Sequence, residues 1–182
     1  MQQILSLTDG SEVTLDQMLQ ARDVRARNQR HWLIKYNMPL ISLTLVIPGS
    51  IKCSSGAHYL FNEALFHVEH TCIAHGLHIE AKQDFSTVCG YEALLSIQAD
   101  PIQLKSICIK IEDTHPLGRL WDIDVICPAK GIISRQTKDF IARPCLVCNE
   151  DAHACARSRR HDLSELINVI EEKINVFQRH FV

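Results

Sequence analysis

Apolar residues recur along this chain first at helical spacing and then in short unbroken runs. Leu15, Leu19, Ala26 and Leu33 follow a period near 3.6, and Thr14 with Gln17 forms a capping box. A helix is therefore predicted over 15–35, with Arg22 on its apolar stripe and Arg25, Arg27 and Arg30 spread around it. Residues 40–47 are a continuous apolar run stopped by Pro48-Gly49, the pattern of a buried strand. Phe61, Leu65, Val68 and Cys72 give an apolar face to a helix over 54–75, which Gly76 ends. Strands are predicted over 77–88 and 92–98, parted by a turn near Gly90. Asp100-Pro101 supplies an N-cap and a first-turn proline for a helix to about Glu112. Another strand carries Asp122 and Asp124, followed by a hairpin through 128–131 into Ile132 and Ile133. Asp162 with Glu165 opens the last helix, whose apolar face is Leu166, Ile167, Ile170, Ile174 and Phe177.

The order over 40–125 is β-α-β-β-α-β, the split βαβ, ferredoxin-like arrangement of an α+β fold. It places helices on one face of an antiparallel sheet and leaves the other free for ligands. An N-terminal helix over 14–36 precedes this core of 40–135, and a Cys-rich segment with a helix over 143–182 follows it. At 182 residues a single domain is expected. A net charge of −2 gives no electrostatic case for nucleic-acid or membrane-surface binding. No apolar run is long enough to span a bilayer, and residues 1–10 do not read as a signal peptide. Eight cysteines then point to reduced thiols or metal ligands in a cytoplasmic protein.

The chemistry concentrates at Asp122-Ile123-Asp124. Residues two apart in a strand share a face, about 6.5–7 Å apart. Two bare carboxylates there repel each other and resist joint ionisation, and a divalent cation removes that cost. The alternative is a solvated edge strand, although Asp is a poor strand former.

A second constellation is Cys145, Cys148, Cys155 and His161. Cys-x2-Cys followed by a third Cys and a His suits a structural Cys3His zinc site, with His153 a competing fourth ligand; ordinary reduced thiols are the alternative. Between Cys155 and His161 lie Arg157, Arg159 and Arg160, a basic turn that reads as a polyphosphate clamp or a solvated loop. Arg22 and Arg25 likewise point into an anion site or lie on a solvated face. His58, His67, His70, His75 and His78 lie on or beyond the exposed side of the second helix, and His67 with His70 lacks an evident third ligand. Cys53, Cys72, Cys89, Cys108 and Cys127 read as small core or near-surface residues.

The run His115-Pro116-Leu117-Gly118-Arg119-Leu120-Trp121-Asp122-Ile123-Asp124-Val125 resembles the signature of the apo-citrate lyase phosphoribosyl-dephospho-CoA transferase family. The resemblance extends to Arg22-Asp23 with Arg25, Trp32-Leu33, Pro39-Leu40, Pro48-Gly49 with Ile51-Lys52, Ser134-Arg135, and the Cys145 to His161 segment. It implies transfer of the phosphoribosyl-dephospho-CoA group from 2'-(5''-triphosphoribosyl)-3'-dephospho-CoA to a serine of the acyl carrier (gamma) subunit of citrate lyase, with loss of pyrophosphate. On that reading Asp122 and Asp124 are catalytic and hold Mg2+. Arg119, Arg157, Arg159, Arg22, Arg25 and Lys52 then contact the donor, and Cys145, Cys148, Cys155 and His161 are the candidate zinc ligands. Pterin pyrophosphokinases share the pattern of an arginine-rich loop leading to an Asp-x-Asp strand. Two rival readings follow from the residues alone: a metal-dependent pyrophosphokinase or nucleotidyltransferase acting on a small molecule, and a non-enzymatic zinc-bearing interaction module.

Overall fold

Residues 4–134, 144–148 and 150–181 are described in the computed structural model. Arg135 and Asn149, which fall in motifs quoted above, lie outside them. The elements are α1 (Leu15–Tyr36), β1 (Leu40–Leu45), α2 (Ser55–Ala74), β2 (His78–Thr87), β3 (Gly90–Gln98), α3 (Pro101–Thr114), β4 (Trp121–Cys127), β5 (Gly131–Ile132), α4 (Ala152–Ser158) and α5 (Leu163–Phe181). A 3-10 turn over Gly118–Leu120 leads into β4.

The sheet is antiparallel in the order β2-β3-β1-β4-β5. Its first four strands have the ferredoxin-like topology expected from the element order. The local signals act as anticipated. The Thr14 hydroxyl accepts the Gln17 N–H while the Gln17 side chain accepts the Thr14 N–H, closing the capping box. Asp100 accepts the N–H groups of Ile102 and Gln103 ahead of α3. Gly76, at φ +67°, ends α2 in the left-handed region that glycine tolerates.

Strand alternation sorts the sheet into two faces. Ile41, Leu43, Ala93, Leu95, Ile97, Trp121, Ile123 and Val125 join the main core with Leu60, Phe61 and Val68 of α2, Leu104 and Ile111 of α3, and Ile170, Ile174 and Phe177 of α5. On the opposite face, Leu40, Leu94 and Ile126 pack against Trp32, with Leu33 and Tyr36 beside them. That face is therefore not entirely free: α1 covers one end of it.

The predicted apolar stripe of α1 is not its buried face. Leu15 is 74% and Leu19 48% exposed. The helix instead meets the sheet through Trp32 and through two polar contacts, Arg25 Nε to Glu92 Oε1 (2.8 Å) and Gln29 Nε2 to Ser42 Oγ (2.9 Å). A reading based on apolar period cannot register a helix held by polar side chains.

Gly118 lets the turn before β4 lie against the end of α3. A Cβ there would meet the carbonyl oxygen of Ile111 at 2.8 Å and press into the Glu112 backbone. The N-terminal segment is tied to α5: Glu171 accepts the Ser6 hydroxyl and the Leu7 N–H, and Asn175 accepts the Leu5 N–H. Among the described residues, no helix is long and apolar enough to cross a membrane.

Candidate functional site

β4 is the centre of the site. Its alternation buries Trp121, Ile123 and Val125 in the core and leaves Asp122 and Asp124 half-buried on the other face. Across β1 the register sets Thr44 opposite Asp122 and Ser42 opposite Asp124. Two carboxylates and two hydroxyl-bearing residues thus share one patch of sheet, bordered by Arg25 and Gln29 of α1 and by Glu92 of β3. All are hard oxygen donors or their partners, a set that suits Mg2+.

The candidate cations divide into four groups. Arg25 is half-buried and pinned by Glu92. Arg22 is exposed, and Lys52 stands near enough to feel its charge: burial, with the Arg22 guanidinium second, pulls the Lys52 ammonium below its usual range. Lys52 Nζ also donates to the Ile47 carbonyl. Arg119, on the turn before β4, donates to the Pro144 carbonyl and so joins that turn to the cysteine segment. Arg157 and Arg159 are exposed, and no hydrogen bond or ion pair from either reaches the sheet among the described residues. Of the two, only Arg159 lies on the basic turn anticipated from sequence. Arg157 closes the last turn of α4, which Asp151 caps at Ala154 N–H, and Arg159 is its left-handed C-cap. Seven residues are too few for a periodic pattern to reveal.

The cysteine segment is organised around its thiols. Pro144 pairs with Asp151, and Cys145 N–H donates to the Glu150 carbonyl at 2.7 Å, closing a tight hairpin. Cys145, Cys148, Cys155 and His161 bring their ligand atoms within 4.8 Å of one another. Cys148 Sγ is 3.5 Å from Cys155 Sγ and 3.3 Å from His161 Nε2. Tetrahedral zinc with bonds of about 2.3 Å needs ligand atoms roughly 3.5–3.8 Å apart, so the set fits a thiolate-imidazole metal. His153 is exposed and outside the cluster.

The surroundings favour thiolate. The Glu150 N–H and then the His161 ring pull Cys148 down to about 7. At Cys145, burial is outweighed by the N–H groups of Cys148 and Val147, and its thiol also titrates below the usual range. The Cys148 thiol in turn raises His161. Cys155, pushed up to about 11 mainly by burial, holds its proton longest. Glu165 accepts from His161 Nδ1 at 3.1 Å, aiming Nε2 into the cluster in the manner of a carboxylate that orients a metal-binding histidine. Glu165 thus serves this ring, and only its N–H takes part in the Asp162 cap.

Sequence reasoning did not single out a second grouping. Glu63, His67 and His115 come within 4.8 Å of one another. His115 stacks on Trp121, with ring centroids 4.4 Å apart, and packs on Phe177 at 5.0 Å. Its Nδ1 accepts the Leu117 N–H at 3.1 Å, which places the ring's lone pair against its own turn and the proton on Nε2. Burial, then the His67 charge, pulls His115 down from 6.5 to about 4. The unfolded chain therefore binds a proton that the folded one refuses, and stability falls as pH drops through that interval. Melting followed from pH 7 to pH 4 should show this decline. His115→Asn, which keeps an acceptor for Leu117, should flatten it by up to about 1.4 kcal/mol per pH unit. An unchanged slope would remove His115 from the account.

Lys105 and Glu112 of α3 were also not anticipated. Both are buried and reach β4 at Ile123. Their only sequence signal is a seven-residue spacing that puts both charges on the helix stripe carrying Cys108.

Residues 13–177 match the family described as apo-citrate lyase phosphoribosyl-dephospho-CoA transferase. A protein of that name from Escherichia coli O1:K1 / APEC is 37% identical over 163 residues, 90% of this chain and 89% of its own. One from Escherichia coli O139:H28 (strain E24377A / ETEC) shows the same identity and coverage. With the acid pair, the turn before it and the cysteine segment all inside the matched region, the chain belongs to the apo-citrate lyase phosphoribosyl-dephospho-CoA transferase family.

Proposed function

We propose that this protein transfers the phosphoribosyl-dephospho-CoA group from 2'-(5''-triphosphoribosyl)-3'-dephospho-CoA to a serine of the apo acyl carrier subunit of citrate lyase, releasing pyrophosphate. The observation that carries the reading is the family match over residues 13–177, which includes an acid pair standing on the open sheet face. In the reaction the serine oxygen forms a bond to the α-phosphorus, the bond from that phosphorus to the bridging oxygen breaks, and pyrophosphate leaves with both electrons. The serine proton passes to solvent or to a base.

Asp122 and Asp124 are assigned to hold Mg2+, which when bound neutralises triphosphate charge and polarises the phosphoryl group. Ser42 and Thr44, opposite them, supply hydroxyls to the same patch. Arg22 and Lys52 are assigned to the donor's phosphates; Arg25, held by Glu92, is preorganised beside them. Arg119 steadies the approach to β4, and Arg157 and Arg159 extend the cationic surface for the leaving group. The cysteine cluster is assigned zinc on the strength of its soft donors and their spacing. Cytoplasmic location, where free thiols stay reduced, belongs to the same proposal.

The test is intact-mass spectrometry of purified apo-carrier incubated with this protein, the donor and Mg2+. A single added phosphoribosyl-dephospho-CoA, mapped to a serine, is expected, with one pyrophosphate released per carrier. An unmodified carrier, with the triphosphate cleaved onto a small acceptor, would replace this reading with a pyrophosphokinase.

A further inference from the structure

Lys105 is 6% and Glu112 1% exposed, and both side chains converge on a single residue of β4. The Glu112 carboxylate accepts the Ile123 N–H at 2.9 Å, and the Lys105 ammonium donates to the Ile123 carbonyl at 2.9 Å. β5 pairs with β4 only at Ile126 and Cys127, so these side chains satisfy the edge where, among the described residues, no strand lies alongside. Neutral side chains can do that without the cost of burying charge. The ammonium therefore calls for a further reason, and its position supplies one. Lys105 Nζ reaches around the strand edge to within 3.9 Å of Asp124 Oδ1.

We propose that Lys105 is a positioning residue that also sets the charge of the acid pair. Its ammonium holds Asp124 from the edge of β4 and offsets one of the two negative charges. The pair alone then binds a divalent cation weakly, and the site is completed by the cation that accompanies the triphosphate. This rests on the assignment of Asp122 and Asp124 as the metal-holding pair. A fixed positive charge at this range changes the affinity of a divalent cation by roughly one to two orders of magnitude. A loose site suits a reaction whose product, pyrophosphate, must leave together with its cation.

The experiment is direct Mn2+ binding to the full-length protein without donor, followed by the electron paramagnetic resonance signal of the free ion, with transfer rates measured in parallel. Lys105→Met preserves length and removes the charge. It should bind Mn2+ at least tenfold more tightly than the wild type while transferring more slowly, because the carboxylate loses its tether. Tighter binding with slower turnover is a pattern that simple loss of packing does not produce. Unchanged or weaker Mn2+ binding by a folded Lys105→Met overturns the proposal. If the buried Glu112 carboxylate prevents that variant from folding, the same comparison is made between Glu112→Gln and Lys105→Met/Glu112→Gln, which removes both buried charges and keeps an oxygen for the Ile123 N–H. The same two outcomes decide it. Asp124→Asn is run alongside: wild-type Mn2+ binding and transfer there would defeat the assignment of the pair itself. An inactive, weakly binding Asp124→Asn beside a wild-type-like Lys105→Met would defeat only the role of Lys105.

Discussion

Asp122→Asn and Asp124→Asn should each lower transfer to the carrier by about 100- to 1000-fold, corresponding to roughly 3–4 kcal/mol of transition-state stabilisation. Both carboxylates stand half-exposed on the open face, so asparagine of nearly the same volume leaves the core intact. Melting temperature should change by no more than a few degrees for Asp122→Asn, which relieves repulsion between like charges, and should fall further for Asp124→Asn, which also gives up the contact with the buried Lys105 ammonium. The loss should appear in kcat with both substrates saturating, and raising Mg2+ should recover little of it. A rate within threefold of wild type for either variant, measured in the mass assay, would mean that the pair is structural. Near-complete loss accompanied by unfolding would leave the carboxylates as supports of the strand and not agents of transfer.

The second large effect concerns the cysteine cluster. Protein purified without a histidine tag should carry one zinc per chain. Removing it with a strong chelator, or replacing Cys148 by Ser, should disorder the segment from Pro144 through α4 and cut transfer at least tenfold. The reasoning is structural. The hairpin from Pro144 to Asp151 and the short α4 have a single buried hydrophobic residue, Cys155, among those described. Apolar burial therefore contributes little there, whereas a structural zinc stabilises its fold by about 10 kcal/mol or more in the measured cases. Arg119 donates to the Pro144 carbonyl, so loosening of the hairpin is felt at the turn that delivers β4. Because Cys155 and His161 keep their protons to higher pH than usual, zinc loading should release protons and weaken as the solution is acidified. Full activity with substoichiometric zinc, shown by elemental analysis, would reduce the cluster to four unmetallated side chains.

The core of the fold was legible because it rests on local rules. Capping residues at Thr14 and Asp100, the stop at Gly76 and the alternation in β4 each act within a few residues, and their order alone yields the four-strand topology. The metal-ready cysteine set was legible for the same reason, since ligand type and spacing carry the signal. The features missed depend on partners far along the chain. The buried side of α1 is chosen by Glu92 and Ser42, which are 67 and 13 residues away from Arg25 and Gln29. Lys105 and Glu112 look like an ordinary solvated pair until they are set beside Ile123 of β4, where no described strand pairs with the outer edge. The approach of His115 to Glu63 and His67 depends on how α2 and the turn after α3 meet, and no local pattern encodes that.

The bonds from Leu5, Ser6 and Leu7 to Glu171 and Asn175 make the first described part of the chain wait for the last. On a ribosome adding about 5–20 residues per second, roughly 10–30 s pass between synthesis of the two partners. During that interval the N–H of Leu7, a residue 1% exposed in the finished protein, lacks its Glu171 acceptor. The sheet and its two helices can assemble meanwhile, but the floor beneath α2 stays open until the final helix docks. Docking of α5, and not emergence of β4, is then the step that completes this fold.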